Sequence, residues 1–121
     1  MIPLLLPLLL GLAHGFSDAS AGFLLGRSAL ADYDRALILL LTYNLVAFGG
    51  MPLAGLLADR FHIPKWMALG GILATLSGLA LANVNLSLAI PLTGLGSACF
   101  HAGAGSLALT STPRRASGNT T

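Results

Sequence analysis

The chain has 121 residues, of which 55% are hydrophobic and only 8% are charged, and its formal net charge is +2. Ordinary soluble domains carry roughly 25% charged residues, and a water-soluble domain of this size could not bury so much apolar surface. The composition therefore predicts an integral membrane protein in contact with the lipid bilayer, and with so few cations we expect no nucleic-acid partner.

Long stretches without Asp, Glu, Lys or Arg define the membrane region. They cover residues 1–17, 36–58 and 66–113. A spanning helix needs about 20 apolar residues, so the last stretch is long enough for two helices, which the polar tripeptide Asn83-Val84-Asn85 divides. The sequence predicts an all-α membrane protein with a membrane region at 1–112 and a polar cytoplasmic tail at 113–121. The four predicted spans are 2–25, 36–58, 66–82 and 86–110.

The basic residues predict the orientation. Arg27 and Arg35 lie between the first two spans, whereas four basic residues lie on the opposite side of the membrane. By the positive-inside rule this distribution favours a multi-pass protein of the cell (inner) membrane with both termini in the cytoplasm. Asp32 and Asp34 are expected to cap the start of the second span. The four basic residues on the predicted cytoplasmic side are Arg60, Lys65, Arg114 and Arg115.

Polar side chains interrupt the first span at His14, Ser17 and Asp18. His14 and Asp18 are four residues apart, so they meet on one face of a helix. An ionisable pair at membrane depth is costly unless it faces a cavity or a partner, and it therefore indicates a functional site. The alternative is a structural pair that only fixes helix packing. A stripe of glycines adjoins this polar face and predicts close helix packing there: Gly11, Gly15, Gly22 and Gly26.

The fourth span repeats the pattern of the first. When residues 11–24 are aligned with 94–107, several small residues and leucines coincide, and Asp18 falls opposite His101. The first and fourth spans must cross the membrane in opposite directions. Such an inverted repeat is typical of secondary transporters, whose sites lie near the bilayer midplane where the repeats meet.

The loop between the second and third spans contains Gly55-Leu56-Leu57-Ala58-Asp59-Arg60. It resembles the signature loop of the major facilitator superfamily, Gly-x-Leu-Ala-Asp-Arg-x-Gly followed by basic residues. The match weakens after Arg60, because His62 replaces the second glycine and Lys65 is the remaining basic residue. The resemblance implies a partial N-terminal bundle of a major facilitator fold, with Gly55, Asp59, Arg60 and Lys65 in a cytoplasmic gate loop.

Further motifs resemble the fosmidomycin-resistance-type efflux branch of that superfamily. They are His14-Gly-Phe-Ser-Asp18, Tyr43-Asn44-Leu45, and Gly94-x-Gly96-Ser97-Ala98-x-Phe100-His101. Ala102 stands where these members usually have a proline that breaks the helix. The resemblance implies proton-coupled export of a small organic compound or drug. It also implies twelve helices in two halves, so we expect the four spans to be a fragment that needs further C-terminal helices or a second copy.

Roles for the polar residues follow from this resemblance and from the chemistry of the membrane interior. Asp18 is the expected proton carrier, because a carboxylate in a low dielectric can alternate between its charged and neutral forms. His14 would tune Asp18, and His101, beside Phe100, would face it across the substrate cavity. Tyr43 and Asn44 are candidate hydrogen-bond donors to substrate or, equally, contacts between helices.

Two other classes of function compete with a transporter fragment. A complete four-span protein could act as an oligomeric exporter or as an accessory or structural subunit. An intramembrane enzyme could use His14, Asp18 and His101 as metal ligands, but the sequence lacks a His-Glu-x-x-His motif and a nucleophile paired with a base. We therefore expect no enzyme activity, no cofactor and no bound metal.

Overall fold

The computed structural model describes residues 2–111, and these form four α-helices joined by short turns. Each helix is long and apolar enough to cross a membrane, as the charge-free stretches predict. The predicted polar tail 113–121, with Arg114 and Arg115, lies outside the described residues. The helices are α1 (Ile2–Ala31), α2 (Tyr33–Phe61), α3 (Pro64–Leu81) and α4 (Leu86–Ser111).

Helix α1 continues past the end of its predicted span, and α2 extends beyond its predicted span at both ends. The structure places Arg27 inside α1 and both Arg35 and Arg60 inside α2. A charged residue marks where a helix leaves hydrocarbon, but it does not stop the backbone from continuing its hydrogen bonds. Predictions based on charge therefore ended the first helix too early and made the second helix too short at both ends.

Side chains cap the starts of α2 and α4. The Asp32 carboxylate accepts a hydrogen bond of 3.1 Å from the backbone N–H of Arg35, and Asp34 lies in the first turn, where the helix dipole favours an acid. The predicted cap at Asp32 is thus confirmed. The Asn85 side chain accepts a bond of 3.2 Å from the N–H of Leu88 in the same way.

The turn between α2 and α3 has the geometry of a Schellman motif. The N–H of Ile63 donates to the carbonyl of Ala58 at 3.0 Å, and the N–H of His62 donates to that of Asp59 at 3.3 Å. His62 is left-handed, with φ of 55°, a conformation that glycine adopts without steric cost. A glycine would therefore suit position 62, whereas His62 adopts the left-handed conformation in spite of its Cβ atom.

Helix α4 is the central element and packs most extensively against α3 and α2, with α1 alongside. The α3–α4 interface depends on glycines that let the two backbones approach. A Cβ atom at Gly71 would meet the backbone of Phe100, and one at Gly103 would meet the backbone of Pro64. Without a hydrophobic force between helices in lipid, such close van der Waals packing is a main source of association.

Two arginines connect the α1–α2 corner to the α3–α4 corner. Arg27 donates from Nη1 to the Asn83 side-chain oxygen at 2.7 Å, and Arg35 donates from Nη2 to Ser87 Oγ at 3.0 Å. Both corners therefore lie at the same end of the bundle. This agrees with helices that alternate in direction.

The glycine stripe of α1 behaves differently from the sequence-based expectation. Apart from the neighbouring backbone of the same helix, no heavy atom of the described residues lies within 4 Å of a Cβ built at its four glycines, and the same holds for Gly55 on α2. The close helix packing expected there does not occur among residues 2–111. The glycine stripe is instead an open face of the bundle.

Candidate functional site

Helices α1 and α4 bring His14, Asp18 and His101 together near the middle of each helix, as the inverted alignment predicts. His14 Nε2 lies 3.1 Å from Asp18 Oδ2, and His101 Nε2 lies 4.0 Å from Asp18 Oδ1. The two imidazole rings meet edge to face with centroids 4.4 Å apart. We call these three residues the His–Asp–His cluster.

His101 is held in place by the preceding turn of its own helix. Its Nδ1 lies 2.7 Å from the Ser97 carbonyl oxygen and 3.2 Å from Ser97 Oγ. Because a carbonyl oxygen can only accept, we assign the proton of the neutral ring to Nδ1. The unprotonated Nε2 of His101 then faces the Asp18 carboxylate, so two acceptors confront one another. A proton or another cation between them would relieve this arrangement.

Phe100 supplies an apolar wall beside the cluster. It is fully buried, and its ring meets those of His14 and His101 at centroid distances of 6.5 and 5.8 Å. A cleft of about 410 Å³ opens next to the two histidines and is otherwise apolar. We call it the histidine cleft; its lining is Pro7, Leu10, Gly11, His14, Phe100, His101, Ala104, Gly105 and Ala108.

Exposure is unevenly divided within the cluster. The side chains of His14 and Asp18 are 51% and 53% exposed, whereas His101 is 21% exposed. Hydrocarbon penalises an exposed ionised carboxylate at mid-helix by at least roughly 2.5–3.5 kcal/mol. The outer side of the cluster therefore needs water, protein or a ligand against it, and the open glycine stripe of α1 adjoins the same side.

Ser17, predicted as part of the same site, points elsewhere. It is 3% exposed and lines a separate pocket of about 110 Å³ with Thr75 of α3. The hydroxyls of both residues are buried without a hydrogen-bond partner in the described part of the chain. One residue along a helix turns the side chain by about 100°, which carries Ser17 away from Asp18 and towards α3.

Tyr43 and Asn44 also lie outside the His–Asp–His cluster. Tyr43 is buried in an apolar cluster with Leu24 and Ile90, and Asn44 donates from Nδ2 to the carbonyl of Leu40 at 2.8 Å. Within this chain the two residues do not line the histidine cleft. Tyr43 fits its alternative reading as a packing residue between helices.

The predicted gate loop makes no ion pair among residues 2–111. Asp59, Arg60 and Lys65 are all exposed, and no side chain caps the start of α3. Arg60 lies in the last turn of α2, where the helix dipole favours a cation. A latch at this loop would thus need a partner from outside the described residues.

Sequence reasoning missed Ser97, which fixes the tautomer of His101. The available signal was its position four residues before His101, the spacing at which helical side chains meet. Because Ala102 replaces the helix-breaking proline of the resembling family, α4 continues unbroken through this position. His101 is consequently presented from a regular helix.

The cluster also has the composition of a metal site. One ligand atom from each of His14, Asp18 and His101 can be chosen so that all three lie within 4.8 Å of one another. Two imidazoles and a carboxylate bind first-row transition metals, unlike the all-oxygen sets that Mg²⁺ and Ca²⁺ prefer.

Comparison of the chain with protein-family models, with curated proteins and with solved structures finds no match. Residues 2–111 define an all-helical fold with four helices long and apolar enough to cross a membrane and a His–Asp–His cluster near the middle of α1 and α4.

Proposed function

We propose that this chain is part of a secondary transporter, and that it exports a small organic compound or drug in exchange for protons. The observation that carries the proposal is the approach of Asp18 to His101 on two oppositely directed helices. A structural pair within α1 alone would not require an ionisable residue from α4. The resemblance to the fosmidomycin-resistance-type branch of the major facilitator superfamily supports the same conclusion.

Asp18 is the proton carrier in this proposal. Its carboxylate oxygens lie 3.1 Å from His14 Nε2 and 4.0 Å from His101 Nε2, so both imidazoles are near enough to exchange a proton with it. The histidine cleft lies beside the cluster and is the candidate substrate cavity.

The proposal includes further protein at the exposed side of the cluster. His14 and Asp18 are half exposed, and no other helix of the described chain packs within 4 Å of the glycine stripe beside them. Alternating access requires two bundles that move about a shared site. We propose that further helices or a second copy of this chain cover this face, which makes a self-assembled four-span exporter the second candidate function.

The loop of Gly55, Asp59, Arg60 and Lys65 is proposed as a gate on the cytoplasmic side. Its charged side chains are exposed and unpaired in the described chain, so they are available to another bundle. Contacts between exposed charges are worth about 0–1 kcal/mol, which suits a gate that must open repeatedly.

Export of fosmidomycin from a pump-deficient bacterium tests the proposal. Cells that express the chain together with the further helices that the proposal requires should tolerate a higher concentration of the drug, and a protonophore should abolish this protection. Asp18→Asn should abolish it as well, with unchanged membrane insertion. The matched control is Asp34→Asn, an exposed acid in the first turn of α2, which should protect like the wild type. Protection that persists in Asp18→Asn, or that the wild type does not provide, contradicts the proposal.

A further inference from the structure

We infer that the His–Asp–His cluster is a binding site for a divalent transition-metal ion. The inference concerns ion binding by the chain itself and goes beyond the proposed export.

The geometry of the cluster is close to that of a metal site. In a tetrahedral site with bonds of about 2.0–2.2 Å, neighbouring ligand atoms lie roughly 3.4 Å apart. The two observed separations to the Asp18 oxygens, 3.1 Å from His14 and 4.0 Å from His101, bracket this value. All three ligand atoms lie within 4.8 Å of one another, so side-chain rotations would bring them to the spacing of a metal site.

His101 is already oriented as a ligand. In metal sites the second nitrogen of a histidine usually donates to a carbonyl or carboxylate, which fixes the ring and directs the lone pair at the ion. The 2.7 Å bond from His101 Nδ1 to the Ser97 carbonyl does this. The Nε2 lone pair of His101 consequently faces the Asp18 carboxylate, and these two acceptors repel each other. A cation between them would bind to both and remove the repulsion.

Binding requires the lone pair of His14 Nε2. In the empty cluster this nitrogen donates its hydrogen to Asp18 Oδ2 at 3.1 Å, so the proton of the neutral ring must move to Nδ1 when Nε2 binds the metal. The ion then has two neutral imidazoles and one carboxylate as ligands. Since His14 and His101 both line the histidine cleft, the ion can enter from there, and its fourth position remains open to water or another ligand.

The nature of the ligands selects the class of metal. A set of two imidazole nitrogens and one carboxylate oxygen suits Zn²⁺, Co²⁺ and Ni²⁺. Mg²⁺ prefers oxygen ligands and retains several waters, so it should not compete. We therefore use Co²⁺, whose visible absorption reports its ligands, and Zn²⁺ as a competitor.

The experiment titrates the full 121-residue chain, purified in detergent without a polyhistidine tag. One Co²⁺ should bind per chain, Zn²⁺ should displace it, and excess Mg²⁺ should not. His101→Ala should weaken binding at least tenfold. The matched control is His62→Ala, which removes an exposed histidine in the α2–α3 turn and should leave affinity unchanged. X-ray absorption of the zinc-loaded wild type should show two imidazole ligands, a result that does not depend on any variant folding.

Absence of saturable Co²⁺ binding in the wild type overturns the inference. So does full affinity in His101→Ala, an equal loss in His62→Ala, or a zinc spectrum without imidazole ligands. The titration involves no transport, so its failure leaves the export proposal standing. Conversely, a failed export experiment leaves the titration unaffected.

Discussion

Gly71 of α3 and Gly96 of α4 face each other so closely that a Cβ built on either residue would lie within 2.7 Å of the other's carbonyl oxygen. The two backbones touch at this crossing. The backbone nitrogen of Phe100, the residue before His101, also lies against Gly71 of α3. The position of His101, and hence of the His–Asp–His cluster, depends on this close approach.

Gly71→Ala should therefore destabilise the bundle. The added methyl group would meet the backbone of Gly96 and Phe100, which cannot move aside as a flexible side chain can. Overpacking of this kind typically costs about 1–3 kcal/mol. Gly70→Ala is the control, because a Cβ at Gly70 meets nothing within 4 Å in the described chain. Thermal unfolding in detergent should show a lower midpoint for Gly71→Ala alone. Equal midpoints for the two variants would contradict the proposed crossing.

His62→Gly should stabilise the chain. A residue with a Cβ atom pays roughly 1–2 kcal/mol for the left-handed conformation that His62 adopts, and glycine does not. Because glycine also gains freedom in the unfolded chain, we expect a net gain of about 0.5–1 kcal/mol. The measurement is the same thermal unfolding in detergent.

Phe61→Gly provides the opposite control for this prediction. Phe61 is the last residue of α2 and has helical geometry, so glycine there should cost up to about 1 kcal/mol. The unfolded chain gains similar freedom in both variants, so the opposite signs expected for the two midpoints follow from the left-handed backbone of His62 and from the helical backbone of Phe61 and the loss of its 58% exposed ring. A midpoint that falls in both variants would show that His62 has a stabilising role beyond its backbone.

The sequence predicts the helices and the central residues of the site because both depend on strong, local signals. Hydrocarbon excludes charge, so charge-free stretches locate α1 to α4. The alignment that sets Asp18 opposite His101 uses small residues at fixed spacing. It predicts that Asp18 and His101 lie at similar depth, because both are near the middle of two helices of opposite direction.

The lateral arrangement of the helices could not be predicted in the same way. Gly11 and Gly71 look equivalent in the sequence, yet Gly71 is packed against α4 and Gly11 faces open space. In a membrane helix both faces are apolar, so periodicity does not reveal which face meets a neighbour. The same ambiguity placed Ser17 and Tyr43 in the predicted cavity, whereas the structure directs them to α3 and to an apolar cluster.

Cysteine labelling tests the predicted orientation of the bundle. Arg27 and Arg35 lie at the end of the bundle formed by the α1–α2 and α3–α4 corners, and Arg60 and Lys65 lie on either side of the turn between α2 and α3. The positive-inside rule places the basic residues beside that turn and in the tail in the cytoplasm. The α3–α4 corner, at the opposite end of the bundle, is then predicted to face outwards. Val84 is the best reporter there, because it is 85% exposed and, unlike Asn85, caps no helix.

In a background with Cys99→Ser, a membrane-impermeant maleimide should label Val84→Cys in intact spheroplasts. It should label Lys65→Cys only after the membrane is broken, since that exposed residue lies in the first turn of α3, beside the α2–α3 turn. Both sites are exposed in the structure, so a difference in labelling reports the side of the membrane and not local burial. Labelling of Lys65→Cys in intact spheroplasts, with Val84→Cys protected, would reverse the orientation and place both termini outside. The gate proposed at Asp59 and Arg60 would then lie on the outer surface.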